Sequence, residues 1–529
     1  MYLSRFNPCR SNTGVSLKSR AMVLAIFCCS LGAFTLTPAW AQNITQNING
    51  ADDRGLDLLA AIKAGDRQNA QLLLDGISTG DAAEPDGTTA LHYAVLNGDT
   101  ELARDLLQKN ANVNARSRYN ITPVYLAAQN GNADMLELLL DAGASANELY
   151  NEGETVLHTA ARTGDFRSVA VLLEAGARAD AREDWHGQTP LMWAMAQKHV
   201  ELLPLLLRHG ADVNAISKVE EWERQVTMEP RDKWLPPGGM SPLLFAARED
   251  CLSCIQPLLD AGANIDAATP KGITSLLIAI INGHYDVAYV LAAAGANVNL
   301  SDDTNRSPLY AAVDFNIMRE SNRPSPDVFS NAHSSFELIE LLIAKGADVN
   351  VQLSKAPPFR LKLDRGTDSL LVAGTTPFLR AAKSADVPVM RLLLEHGADP
   401  RLSTVQGVNP LMTAANLATK ESDTTGRYKT EAQMIEAIQL CLDQGLDINA
   451  TANDGRSAIF GAATFGLNDV IQYLYDHGAT VDYLDKQGLR PLDAASGKAG
   501  GFGFTGADGV YWDDTVALLQ KLIAAGQNH

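Results

Sequence analysis

A block of 33 residues repeats along this chain, and no other feature restricts its fold as strongly. Thr89-Ala90-Leu91-His92-Tyr93-Ala94 returns as Thr122-Pro123-Val124-Tyr125, Thr155-Val156-Leu157-His158 and Thr189-Pro190-Leu191-Met192. The frame continues at Ser241, Thr274, Ser307, Thr376, Asn409, Ser457 and Arg490, after a weak first copy at Leu56. Seven of the eleven steps between leading positions are 33 residues and one is 34. Self-similarity at such a period means a stack of small units, each burying its apolar face only against its neighbours.

Each unit reads as a helix pair. Thr or Ser caps the first helix, and Pro beside it fits the first turn, where no amide hydrogen is needed. Leu and paired Ala follow at helical spacing, and the small Ala residues allow close helix approach. A Gly ends that helix, and Asp or Asn opens the second. Pairs such as Leu106-Leu107, Leu139-Leu140 and Leu172-Leu173 supply the second helix's buried face. Gly143, Gly176, Gly210, Gly262, Gly295, Gly346, Gly397 and Gly478 close the second helices in a left-handed cap. The polar residues that follow turn the chain into a hairpin finger.

These motifs resemble ankyrin repeats, whose 33-residue period and Thr-Pro-Leu-His-x-Ala pattern they share. The resemblance covers residues 52–529 and implies an all-α solenoid of about twelve units with β-hairpin fingers. It also implies binding through finger tips and inner helices. Pro236 to Arg248 and Gly374 to Ala382 further resemble exported multi-ankyrin proteins of Gram-negative bacteria, a likeness that brings no activity with it.

The N-terminus reads as an export signal, residues 1–41. Arg5, Arg10, Lys18 and Arg20 precede an apolar run from Ala21 to Thr37, and Ala39-x-Ala41 is a small-x-small cleavage pattern. A retained single-span anchor is the competing reading. Residues 42–51 form a linker, 52–217 units 1–5, 240–353 units 6–8 and 374–529 units 9–12.

Four insertions interrupt the array. Residues 218–239 and 354–373 lie on the finger side, between units, and the second of these is locally basic. Residues 316–335 and 417–430 lie between the helices of one unit, at the opposite edge. Each is a candidate site or tolerated loop growth, since loop closure entropy rises slowly with length. The first is rich in tryptophan. Trp185 at a finger tip, Trp193 on a first helix, and Trp222 and Trp234 in the insertion stand near Arg224 and Lys233, a composition typical of partner contacts. The alternative is a lid packed on the solenoid.

Little suggests chemistry. Cys251 and Cys254 form a Cys-x-x-Cys pair where the second helix of unit 6 begins, and a redox pair, a passive disulfide and packed thiols all stay open. Gly501 to Gly506 matches the dinucleotide glycine pattern by letter, without a strand before it. No catalytic constellation, cofactor motif or metal-ligand spacing emerges. The whole chain carries −19, and without its first 41 residues it has 39 basic against 62 acidic residues. Such a balance disfavours nucleic acid as partner. The reading is a non-enzymatic, monomeric, periplasmic or secreted scaffold for protein partners, with no membrane span after signal cleavage. A thiol-redox role and a secreted effector acting on a foreign protein are the alternatives.

Overall fold

The computed structural model describes residues 52–220, 238–316, 331–357, 368, 370–419, 429–498 and 511–526. The signal segment, most of the tryptophan-bearing insertion and the Gly501–Gly506 segment lie outside the described residues.

Every unit is a pair of antiparallel helices. Unit 2 is Ala90–Leu96 and Thr100–Gln108, unit 4 Val156–Thr163 and Phe166–Glu174, unit 9 Pro377–Lys383 and Val387–Glu395. Unit 1 opens at Asp52 and unit 12 closes at Gly526, so twelve pairs are present among the described residues. First helices pack on first helices and second on second along the array. One apolar core runs through all twelve, from Leu58 to Leu522, with the paired alanines fully buried.

Local chemistry explains the repetition. Thr89, Thr122, Thr155, Thr189 and Thr376 each accept a hydrogen bond from the backbone N–H three residues on. In units 2 and 4 the cap is completed by His. His158 Nε2 bonds the carbonyl of Gln188 in the next unit at 3.0 Å, while Nδ1 accepts from the Thr155 N–H at 3.2 Å. Burial pushes the His158 imidazole down to about 4, so it stays neutral and keeps that acceptor.

The closing glycines all have positive φ, from 84° at Gly176 to 99° at Gly295. The asparagine four residues later does more than turn the chain. Asn147 Nδ2 donates to the Gly176 carbonyl at 2.9 Å, and its Oδ1 accepts from the Arg178 N–H at 2.9 Å. Asn114, Asn214, Asn299, Asn350 and Asn449 make the same side-chain bond to the next unit's glycine. Orphan carbonyls at one helix end are thus satisfied by the preceding unit.

The expected β-hairpin fingers are tighter than hairpins. The described residues contain no strand, only single bridges such as Ala83 to Thr89 and Leu149 to Thr155. Each arm is too short for a ladder, because a turn such as Asn120 N to Ser117 O at 2.9 Å closes the finger immediately. Neighbouring fingers are joined instead by single backbone bonds, among them Arg118 N to Asp86 O and Lys218 N to His186 O, both 2.7 Å.

Candidate functional site

The face of the first helices turned away from the second helices carries the residues four and seven positions after the capping Thr or Ser. In units 2 to 7 these are Tyr93 and Leu96, Leu126 and Gln129, Thr159 and Arg162, Trp193 and Ala196, Phe245 and Arg248, Ile278 and Ile281. Most of them stay partly or fully exposed, Leu96 at 44%. Apolar and aromatic side chains predominate on this face, beside Gln129, Thr159, Arg162 and Arg248.

Of the expected contact residues, two are described. Trp193 is half-buried on the open face, edge-on to His158 and with the Arg162 guanidinium 5.1 Å from its ring centre. Its indole N–H is covered and has no hydrogen-bond partner. Trp185 stands at a finger tip, 55% exposed, beside the His186 ring. Trp222, Arg224, Lys233 and Trp234 lie outside the described residues. Beside Trp193, burial raises the pKa of Glu154, against the lowering pull of the Thr159 hydroxyl and Arg162. Tyr125 and Tyr150 stack with centres 4.1 Å apart, extending the aromatic surface to a finger.

The open face ends at unit 8. Its two register positions there are Ala311 and Asp314, and in unit 9 they are Arg380 and Lys383. All of Pro308–Asn316 and Pro377–Lys383 is buried, and Asp314 and Arg380 are 0% exposed. Arg380 pairs through Nη2 with Asp314 and through Nη1 with Asp368 at 2.9 Å. Lys383 Nζ reaches the other oxygen of Asp368 at 2.7 Å. Burial alone would lower the Arg380 pKa, but Asp314 and Asp368 overcome it and raise it. Removing charges from water is expensive, so such a cluster is held for geometry more than for stability.

Two insertions meet at this cluster, and a third begins close by. Asp368 belongs to residues 354–373. Lys429, at the end of 417–430, donates to the Lys383 carbonyl at 2.6 Å. Asn316, at the start of 316–335, donates to Asp386 at 2.7 Å and accepts from Ser335 Oγ at 2.5 Å. Residues 354–373 and 417–430, expected at opposite edges, each place a described residue, Asp368 and Lys429, on the first helix of unit 9. Lys429 keeps part of its surface accessible, yet burial first and the Lys383 ammonium second push its own ammonium down to about 7. Sequence reasoning missed this centre. The signal was present: charged side chains at 314, 380 and 383, in a register filled elsewhere mostly by apolar or small residues.

Cys251 and Cys254 are joined as a disulfide at the start of Leu252–Asp260, and both are almost completely buried. Thiol exchange needs access to a sulfur, which this packing denies. Cys441 is buried and free, its thiol pushed up to about 12 by burial. No cluster of three or more metal-ligating side chains occurs among the described residues, and none of their helices is long and apolar enough to cross a membrane.

Comparison with known proteins agrees with the architecture. The family model for ankyrin repeats in three copies matches residues 58–150, 124–217 and 243–352, and that for a single ankyrin repeat matches 373–405. The mouse B-cell lymphoma 3 protein homolog is 37% identical over 232 residues, 43% of this chain and 40% of that protein. An ankyrin repeat and KH domain-containing protein of Caenorhabditis briggsae is 27% identical over 58% of this chain and 10% of its own length. The bovine mitochondrial disaggregase is 28% identical over 42% of this chain and 28% of its own. Each match thus takes in well under two thirds of the relative. Among solved structures, the ankyrin repeat domain of human ASB11 covers 49% of this chain at 22% identity with a TM-score of 0.38. That of Bcl-3 covers 49% at 26% identity with a TM-score of 0.37. With family models matching more than half of its residues, the chain belongs to the ankyrin-repeat family.

Proposed function

We propose that this protein is an exported scaffold that holds protein partners against the open face of units 2 to 7 and the adjoining finger tips. One observation carries the reading: Tyr93, Leu96, Leu126, Trp193, Ile278 and Ile281 recur in one register and remain exposed or half-buried. Large apolar side chains with a nearby arginine, here Arg162 over Trp193, are the usual anchors of protein interfaces. Trp185 adds an anchor at a finger tip. The tryptophans and basic residues of the 218–239 insertion are further candidate contacts in this reading. The scaffold works as a monomer and needs no cofactor and no catalytic group.

Export to the periplasm or medium rests on the basic-apolar-Ala-x-Ala order of residues 1–41. The Cys251–Cys254 disulfide supports it, since such bonds persist in oxidising compartments. Fractionation of cells expressing the full chain tests this part: recovery of an uncleaved chain in the cytoplasm would overturn it.

The binding part is tested by affinity capture with cross-linking from the envelope fraction. Tyr93→Ala with Trp193→Ala should lose a protein that the parent chain retains, with an unchanged thermal transition. Deletion of 218–239 asks the same of the insertion. Retention of the same partner by the double variant would refute the open-face assignment.

A further inference from the structure

We infer that the open face takes an acidic segment of a partner chain, with Arg162 and Arg248 each meeting a partner carboxylate and Trp193, Ile278 and Ile281 receiving its apolar side chains. This rests on the protein-binding reading and names the chemistry of the partner. At the two face positions in each of units 2 to 7, Arg162 and Arg248 are the charged residues, and no Asp or Glu stands there. The chain as a whole has 62 acidic against 43 basic residues, so this face reverses the balance of the rest. Exposed acids gather on the second helices instead, where Asp75, Asp141, Glu174 and Asp260 are closing residues.

Both arginines are held in place by aromatic rings. The Arg162 guanidinium lies 5.1 Å from the centre of the Trp193 ring, and that of Arg248 4.8 Å from the centre of Phe245. Their side chains are still 42% and 30% exposed. A guanidinium fixed against a ring loses little freedom when its N–H edge takes a carboxylate in the bidentate manner. The groups already beside them leave room for this. Glu154 stays 3.8 Å from Arg162, beyond hydrogen-bond length, and accepts from the Thr159 hydroxyl. Burial raises its pKa, which favours the neutral carboxyl. Glu249 takes the Nε of Arg248 at 2.7 Å, while Nη1 donates to the Met240 thioether at 3.5 Å, a weak acceptor. Arg162 belongs to unit 4 and Arg248 to unit 6, on the order of 16–20 Å apart at the usual spacing of packed helices. An extended chain crosses that distance in about five or six residues, so one segment reaches both.

The test uses the full chain and fluorescence anisotropy at about 0.15 M salt, where the field of the acidic body is screened within about 8 Å. The probes are labelled peptides of four Glu-Leu-Ser repeats, and counterparts with Gln or Lys in place of Glu. The Glu peptide should bind at least ~10-fold more tightly than the Gln peptide. Arg162→Gln with Arg248→Gln should erase that difference while keeping the thermal transition and the weaker Gln-peptide binding. Equal binding of the two peptides overturns the proposal, as does a Glu preference that survives the double variant or an absence of binding by all three. Preference for the Lys peptide, the result of general attraction to an acidic chain, overturns it as well. Should the double variant lose its fold, Arg162→Lys and Arg248→Lys keep the charge and remove the paired donors, and each should cut the Glu preference at least ~3-fold. No reduction in either would again overturn it. Partner capture by Tyr93→Ala with Trp193→Ala reads the face without reference to charge, so that reading can stand while this one falls.

Discussion

Asn299 Nδ2 donates to the Gly346 carbonyl at 2.9 Å across 47 residues of chain, as Asn114 does to Gly143 across only 29. The insertion inside unit 8 therefore leaves the junction between units 7 and 8 intact. Asn299→Ala should cost ~1–2 kcal/mol, because a helix-end carbonyl and the Asp348 N–H both lose their partner. Chemical denaturation monitored by circular dichroism measures it, and an unchanged midpoint would show that water replaces the side chain freely.

His158 makes stability depend on acid. Its imidazole titrates near 4 in the folded chain, against about 6.5 when exposed in the unfolded chain. Between those values the unfolded chain binds more protons, so stability is full above pH 6.5 and falls as pH drops toward 4. The contribution is on the order of 3 kcal/mol. His158→Gln should flatten that limb of a stability-against-pH curve. A slope that persists unaltered would point to other groups.

Arg380 is expected to be the most damaging single charge to remove. Arg380→Met leaves Asp314 and Asp368 buried without their guanidinium, a loss of ~3–5 kcal/mol. Replacing Asp314 by leucine in the same chain should recover part of that loss, since its carboxylate no longer has to be buried without the guanidinium while Asp368 keeps the Lys383 ammonium. Urea midpoints of the single and double variants decide, and equal destabilisation of both would contradict the ionic account.

Lys198 holds φ at 67°, in the position where Gly98, Gly131, Gly164 and Gly283 end other first helices. Its side chain is exposed, so Lys198→Gly loses no packing. The change should stabilise by ~0.5–1 kcal/mol through relief of the left-handed conformation. A raised melting temperature is the readout, and a lowered one would mean that the side chain does something at this corner.

The helix pairs were legible in the sequence because their determinants are local and repeated. Thr155 caps, Gly176 turns left-handed, and Leu172 and Leu173 face inward for reasons contained within a few residues of chain. The fingers were legible only in place, since arm length decides whether a turn grows into a ladder. For the candidate surface, Trp193 and Trp185 could be singled out by residue type, but their exposures of a half-buried and an open side chain depend on neighbours in adjacent units.

Sequence alone determined the stack and its period. Only the tertiary structure decided which face of the first helices stays open and where that face closes. Asp314, Asp368, Arg380 and Lys429 lie as much as 115 residues apart, and no local rule brings them together. They meet because stacked helices hold Arg380 and Asp314 side by side while insertions of unrelated sequence supply the remaining charges. The same holds for the Cys251–Cys254 bond, which spacing allowed and the packing of one helix start completed.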